Sequence, residues 1–431
     1  MTRDLTVSLD NQAQLIEGFG GCFNELGWTC LAHLKDDDRE SIFHELFAPG
    51  VGANFSLCRT PVGANDFSRA WYSYDEVIGD FALDRFSIAN DLETLVPFIK
   101  LALRYNPSLR LWASPWSPPS WMKRNGFYAE ASQPSDRPPN GIRPEQLGKA
   151  GVDMFVSEDR YYTAYANYFG QYIDTYKEQG IGTGMVMPQN EFNSPQPFPS
   201  CTWTPGSLAR FIRYLGPVMS QRGVDVFFGT LEQSDPALLE AVLDDLKAAK
   251  YIRGVGVQWA GKDALPHIQK VHPGLQIYQS EQECGDGSNS WRHCVHCWDL
   301  MKFYFEHGTN AYMYWNLALP VGGESHWGWR QNSLITVDAS TGIYRFNHEY
   351  YLMKHFSHFV QPGASRLQTN GILVDALAFL NPDRSVAIIV HHGANFQRPI
   401  NIIVGDREVS GWLQPSSFNT ILIRPETHEA I

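Results

Sequence analysis

Two glutamates in this sequence stand where a carboxyl pair could act as acid and nucleophile. Glu191 closes the run Met185-Val-Met-Pro-Gln-Asn-Glu, and Glu281 closes Ile277-Tyr-Gln-Ser-Glu, 90 residues later. Two carboxyls facing one acetal are what glycoside hydrolysis requires: one protonates the leaving oxygen while the other attacks the anomeric carbon or activates water. Their pKa values must differ, which burial and the charge of one on the other can bring about. A single glutamate at a strand end is more commonly a helix-cap partner or half of a salt bridge; an opposed pair is harder to account for in that way. Glu283 is a rival to Glu281, on the same face if the strand continues, although Cys284-Gly-Asp-Gly287 signals a turn. Glu232, which follows Gly229-Thr-Leu, could orient a catalytic group instead of being one.

Around these carboxyls the sequence offers sugar-binding chemistry. Trp116, Trp121, Trp259, Trp315, Trp327 and Trp329 fall at the ends of expected strands or in the loops after them. Indole faces there could stack on a pyranose, although each could equally be core. Asp66, Asn190 and Asn316 have the short polar side chains suited to hydroxyl recognition, and also to ordinary turns. His293-Cys294-Val-His-Cys297 has metal-ligating residue types, but on a helix Cys294 and Cys297 are merely i, i+3 neighbours and no second ligand pair follows. No metal and no cofactor are expected. A P-loop and a Gly-x-Ser-x-Gly elbow are missing from the sequence, so phosphoryl transfer and the usual serine-hydrolase chemistry lack their parts.

The elements that must position these residues read as eight extended runs, each followed by polar loop chemistry and usually a helical pattern. They are Leu15 to Gly20, Asn54 to Arg59, Leu109 to Ser114, Gly184 to Glu191, Val224 to Thr230, Gly254 to Trp259, Leu275 to Glu281 and Asn310 to Trp315. Helical stretches fall between them, at Asp37 to Phe47, Asp91 to Tyr105, Tyr161 to Gln179, Ser207 to Arg222, Pro236 to Ala249 and Cys294 to His307. Eight alternations predict an α/β fold, a closed (β/α)8 TIM barrel, with chemistry at the C-terminal strand ends. Gly18-Phe-Gly-Gly-Cys lacks the spacing of the phosphate-binding turn that opens a doubly wound sheet. The two glutamates then sit on strands four and seven, facing each other across the mouth. The irregular stretch from Trp116 to Gly151 leaves strand three at that end, and loops of such length are usually functional or mobile.

Beyond residue 360 the texture changes to short strands and turns, at Gly371 to Leu380, Val386 to His391, Ile400 to Val404 and Phe418 to Ile423. Leu5 to Leu9 alternates in the same way and could join them. The expected division is a catalytic barrel over 16–350 and a β-sandwich side domain formed by both chain termini, 1–15 plus 351–431.

Composition bounds the partners. With 431 residues, 43% of them apolar, there is ample material for a core. Lys+Arg 34 against Asp+Glu 46 leaves a net charge of −12, which gives no support to a nucleic-acid or anionic-membrane surface. No apolar run approaches the roughly 18 to 20 residues of a membrane-spanning helix. No signal peptide is visible at Met1-Thr-Arg-Asp-Leu-Thr-Val, and seven scattered cysteines do not form a disulfide framework. A cytoplasmic setting is expected, the alternative being a secreted protein whose leader was removed. Nothing in the sequence sets an oligomeric state.

At Gly18-Phe-Gly-Gly-Cys-Phe, Asn54-Phe-Ser-Leu-Cys-Arg-Thr-Pro-Val-Gly-Ala-Asn-Asp-Phe-Ser68, Ala113-Ser-Pro-Trp-Ser-Pro-Pro-Ser-Trp121, Gln189-Asn-Glu191, Ser280-Glu281, Tyr314-Trp-Asn-Leu-Ala-Leu319 and His355-Phe-Ser-His-Phe-Val-Gln-Pro-Gly-Ala-Ser365 the chain resembles glycoside hydrolase family 30, the glucosylceramidase-like enzymes. The motifs run in order across nearly the whole chain. The resemblance implies a barrel with a side β-sandwich, and retaining hydrolysis of β-linked glycosides through a covalent glycosyl-enzyme. It also implies that Glu191 is the acid/base and Glu281 the nucleophile, with Glu283 in a supporting role. Asp66, Trp116, Asn190, Trp315 and Asn316 fall on family positions that line the sugar subsite, and Arg59 on an arginine near the nucleophile; Trp259 joins the expected substrate-binding set.

The chain departs from the family at Phe192, where proline is common, and at Val257-Gln-Trp-Ala260, where glucosylceramidases have a His-Trp-Tyr pattern. The expected substrate is a soluble β-linked glycan or oligosaccharide, for a β-glucosidase, β-1,6-glucanase or related enzyme. The alternatives are a glycolipid-cleaving glucosylceramidase and a catalytically silent carbohydrate-binding protein.

Overall fold

Short runs of β-branched and aromatic residues, each ended by glycine or polar turn chemistry, become the strands of this computed structural model, which describes residues 4–425. The first strand, β1 (Leu5–Leu15), belongs to the C-terminal module. The next eight are β2 (Gly18–Cys22), β3 (Leu57–Pro61), β4 (Arg110–Ser114), β5 (Met185–Val186), β6 (Asp225–Leu231), β7 (Ile252–Gln258), β8 (Gln276–Glu281) and β9 (Ala311–Asn316). They pair in parallel and in sequence order, and β9 returns to β2 to close the barrel. All eight expected runs overlap these strands. The fourth is far shorter than the expected Gly184 to Glu191, because Pro188 has no N–H to give to a ladder.

The helices lie mostly where expected. Helices over Glu25–Ala32, Leu265–Val271 and His348–Ser357 add to them, and the expected Asp91 to Tyr105 is divided between Ala89–Glu93 and Leu95–Tyr105. Asn24 starts the first of these by accepting from the Gly27 N–H at 2.8 Å. The expected helix from Pro236 to Ala249 is two helices, Ala237–Leu243 and Leu246–Ala249, because Asp245 turns inward to cap the second through the Lys247 N–H.

The barrel interior is filled in layers. Leu57, Trp112, Met185, Met187, Phe227, Tyr278, Ala311 and Met313 form its apolar floor. A second apolar cluster, with Cys22, Phe67, Trp116, Cys284 and Trp315, lies at the C-terminal mouth. Glycines make the close approaches possible: a Cβ on Gly20 would lie 1.9 Å from the Leu57 carbonyl oxygen on the neighbouring strand.

Three strands, β10 (Ala318–Pro320), β11 (Ile335–Asp338) and β12 (Ile343–Phe346), form a small sheet that carries the chain away from β9. The helix His348–Ser357 follows and crosses the position where the sequence reading divides barrel from module. Strands β13 (Ser365–Gly371), β14 (Ala376–Leu380), β15 (Val386–His392), β16 (Arg398–Val404), β17 (Arg407–Leu413) and β18 (Ser417–Ile423) complete the module, in the order β17-β16-β1-β13-β14-β15-β18. Residues 1–3 and 426–431 of the expected division lie outside the described residues.

β14 and β15 are buried on both faces, which is why they read as unbroken apolar runs. Leu377, Phe379, Ala387 and Ile389 join the large core around the barrel, while Ala376, Ala378, Val386, Ile388 and Val390 join the module's own core with Leu5 and Val7. Replacing Gly20 with alanine is therefore expected to lower the thermal midpoint by several degrees, at on the order of 2–4 °C per kcal/mol. Alanine at Gly182, where a Cβ meets nothing within 4 Å, should leave it within a degree.

Candidate active site

Arg59, fully buried on β3, organises the mouth of the barrel. Its Nη1 donates to Glu281 Oε2 at 2.9 Å and to the Ser280 carbonyl at 3.1 Å; Nη2 donates to Asn190 Oδ1 at 2.7 Å and to Ser114 Oγ at 2.9 Å; Nε also reaches Ser114 Oγ, at 3.1 Å. The planar fork thus ties together the ends of β3, β4 and β8 and the loop after β5. Indole rings surround it, with Trp116 at 4.3 Å, Trp112 at 4.9 Å and Trp315 at 5.5 Å from the guanidinium carbon. Trp116 and Trp315 stack on each other at 5.2 Å.

Gln258, at the end of β7, joins the two glutamates. Its Nε2 lies 3.2 Å from Glu191 Oε1, 3.5 Å from Glu281 Oε2 and 3.3 Å from Asn190 Oδ1. The Ser280 hydroxyl donates to Gln258 Oε1 at 2.8 Å, which turns the amide nitrogen towards the carboxyls. The sequence reading noted Gln258 as a departure from the glucosylceramidase pattern and missed its role; an uncharged amide at a strand end carries no signal of its own.

Glu191 lies past the end of β5 with φ 45°, and Trp259 just past β7 has φ 49°. Both are non-glycine residues in the left-handed region, a conformation that costs about 1–3 kcal/mol and persists where the surroundings over-determine it. For Glu191 those surroundings are explicit. Its N–H donates to Thr230 Oγ1 at 2.5 Å, its carbonyl accepts from the Ser194 N–H at 3.1 Å, and Gln196 Nε2 donates to its Oε2 at 2.9 Å.

Gln196 is held in turn by the long loop after β4. The Glu130 and Ala131 N–H groups both donate to its carbonyl at 2.9 Å, and the buried Lys123–Glu130 pair at 3.3 Å anchors that loop. The part of that loop from Trp116 to Ala131 is thus a brace for the Glu191 loop, while most of the residues from there to Gly151 are exposed.

A cavity of about 350 Å³ opens over this arrangement, within the range of ligand pockets. Of the expected residues, Asp66, Glu191, Trp259 and Glu281 line it, and Glu232, Gln196, Phe198 and Trp329 join them. Arg59, Trp116, Asn190 and Trp315 lie directly beneath and around the carboxyl pair, almost completely buried. Asn316 is fully committed inside the protein: its Oδ1 accepts from Asn24 at 2.9 Å, and its Nδ2 donates to Gln331 Oε1 at 2.9 Å and to the Asn332 carbonyl. It braces the loop before Asn332 and is not among the cavity's lining residues. Trp121 and Trp327 also lie away from the cavity lining; Trp121 packs on Phe81 and Tyr161.

Glu283 faces away from Glu281. Lys262 and His296 each contact its carboxylate at 3.0 Å and hold its pKa below the usual value against the effect of burial. His293 reaches the Glu283 carbonyl at 3.2 Å, and Cys294 and Cys297 are buried in the core. The residues that suggested a metal motif therefore pin the chain after Glu281. All seven cysteines are unpaired and buried.

Burial raises the pKa of both Glu191 and Glu281. Arg59 works against that rise at Glu281, the charge of Glu191 adds to it, and neutral amides from Gln258 and Gln196 soften it at Glu191. The guanidinium contact favours the charged form of Glu281. Asp66 is raised too, by burial and then by Glu281 and Glu191; its Oδ1 is buried without a partner, a free acceptor facing the same space.

Comparison with known proteins agrees with this geometry. The family model for the glycosyl hydrolase family 30 TIM-barrel domain matches residues 16–360, and that for the family's β-sandwich domain matches residues 363–421. The chain is 29% identical to putative glucosylceramidase 1 of Caenorhabditis elegans, over 94% of this chain and 79% of that one. It is 25% identical to an endo-1,6-β-D-glucanase of Aspergillus fumigatus, over 88% and 78%. The crystal structure of SrfJ from Salmonella typhimurium superposes with a TM-score of 0.85 at 26% identity, covering 99% of this chain and 94% of that one. Among the described residues no helix is long and apolar enough to cross a membrane. A barrel with two buried carboxyls at its mouth, a terminal β-module and matches to the family models of both domains lead to one conclusion: the chain belongs to glycosyl hydrolase family 30 and is a glycosidase.

Proposed function

We propose that this glycosidase cleaves β-linked glycans or oligosaccharides with retention, by double displacement, using Glu281 as nucleophile and Glu191 as acid/base. Glu281 attacks the anomeric carbon while Glu191 gives its proton to the departing oxygen; Glu191 then takes a proton from the water that releases the sugar. The observation that carries this reading is the single Gln258 nitrogen shared by the two carboxyls at 3.2 and 3.5 Å. Oxygens held that close to one atom fit the roughly 5 Å spacing of a retaining pair better than the roughly 6.5–9.5 Å of an inverting one.

Asn190 complements the pair. Its Oδ1 is occupied by Arg59, which leaves Nδ2 free to donate to the sugar 2-hydroxyl, an interaction that strengthens in the transition state. Asp66, with its free Oδ1, and Trp259 complete the subsite as hydroxyl acceptor and stacking face. The endo-1,6-glucanase relative supports a glucan substrate, and the glucosylceramidase relative supports a glycolipid. The polar rim of Gln196, Glu232, Arg330 and Gln331 favours the glycan. The buried, unpaired thiols support a cytoplasmic enzyme; recovery of the native protein from the culture medium would overturn that placement.

An activated 2-deoxy-2-fluoro β-glucoside should leave one fluorosugar on the protein, mapping by mass spectrometry to the peptide that contains Glu281. A label elsewhere, or an inverted product anomer by NMR, refutes the assignment. Glu191→Ala should lower kcat by on the order of 10²–10⁴ for leaving groups that need a proton and far less for a dinitrophenyl glycoside, with azide restoring turnover. Arg59→Met should raise the Glu281 pKa, because the charged form loses its counter-charge. Since the nucleophile must be ionised, the acid limb of the kcat/KM profile moves to higher pH, by on the order of one unit or more.

A further inference from the structure

Glu232 is a carboxyl that the double-displacement scheme does not use. It lies just past the end of β6, is only 5% exposed, and still lines the cavity. Its Oε1 is fully engaged, accepting from the Asn193 N–H at 3.0 Å and from the Ser194 hydroxyl at 2.9 Å. Its Oε2 is buried and has no partner. A buried carboxyl oxygen without a partner is unfavourable, and none of the ion pairs among the described residues includes Glu232. Burial, and then the charge of Glu191, push its pKa up to about 8. With Oε1 taking two donors, the proton of the neutral acid belongs on Oε2, which then has a hydrogen to offer as well as a lone pair.

Its place in the cavity says what it meets. Glu232 grips the two residues that come two and three positions after Glu191, and the charge of Glu191 acts on it. It lies at the end of β6, the strand next to β5, against the loop that carries the acid/base. The acid/base protonates the departing oxygen, so this side faces the leaving group. Phe198 and Trp329, which meet edge to face at 6.1 Å, line the same cavity and supply apolar surface there.

We propose that Glu232 is a specificity-determining residue that hydrogen-bonds through Oε2 to a hydroxyl of the leaving-group sugar, so that the preferred substrate carries a sugar, not a lipid, on that side. This rests on the assignment of Glu191 as acid/base and deepens it.

The test compares Glu232→Ala with wild type on two substrates that share the same glycone and whose alcohol leaving groups need the same proton, a β-1,6-linked glucose disaccharide and an alkyl β-glucoside whose leaving group has no further hydroxyl to recognise. The ratio of kcat/KM for disaccharide over alkyl glucoside is expected to fall fivefold or more, and turnover of the alkyl glucoside in the same preparation reports that the variant is folded. A smaller change in the ratio overturns the proposal. So does an equal loss on both substrates, or a pH profile that shifts equally for both, since these belong to a structural or electrostatic role. If the alanine variant does not fold, Glu232→Met fills the same volume without a polar head and is read by the same ratio. Failure here leaves the fluorosugar label on Glu281 untouched, so this inference and the mechanism it rests on fail separately.

Discussion

The buried contact between Arg59 and Glu281 is the interaction on which the rest of the site depends. Four carboxyls, those of Asp66, Glu191, Glu232 and Glu281, line one cavity, and each is raised by burial. A single guanidinium at 2.9 Å from Glu281 is the counter-charge in contact with one of them. Buried ion pairs contribute little net stability, while removing one partner is strongly destabilising. The value of this pair lies in the asymmetry it imposes: one carboxyl of the pair has a guanidinium in contact, while the other is held by neutral amides. The same arginine bonds to Ser114 and Asn190, so the electrostatic centre is also the mechanical joint between strand ends.

Around that centre the protein holds its working groups in conformations that the chain would not choose alone. Glu191 and Trp259 are left-handed without being glycine, and each follows a strand at the rim. Thr230, Gln196 and the backbone of the long loop fix Glu191; the Ser280 hydroxyl fixes the Gln258 amide. The brace reaches outward through Lys123 and Glu130, a buried pair inside a stretch without regular secondary structure. Order in that loop comes from polar groups satisfied by its neighbours, as buried backbone demands.

The terminal module serves the barrel through shared packing. β14 and β15 put alternate residues into two cores, one their own and one continuous with the barrel's helices. β1 lies between β16 and β13, so the module's sheet is completed by the N-terminal segment. The barrel's first strand therefore leaves directly from the module, and its register is held from both sides.

The alternation of apolar runs and polar loops made the eight barrel strands legible in the sequence, as it did the β-texture near the C-terminus, because periodicity is a local property that burial imposes on each strand. The types and spacing of Glu191 and Glu281 were legible for the same reason: both follow apolar runs at the end of the barrel where loops gather. Three-dimensional proximity decided the rest. Gln258 is an unremarkable amide until Ser280 turns it and two distant carboxyls meet at its nitrogen. Asn316 has a sugar-binding residue type, yet its hydrogen bonds are consumed by Asn24, Gln331 and Asn332. Glu283 and Glu232 differ little as sequence, but Lys262 and His296 engage the carboxylate of the first while the second keeps an oxygen free. Residue type and local pattern set what each side chain could do. Which of them remained available for chemistry depended on partners brought together from far along the chain, because solvation and hydrogen bonding are settled by whatever packs against a group.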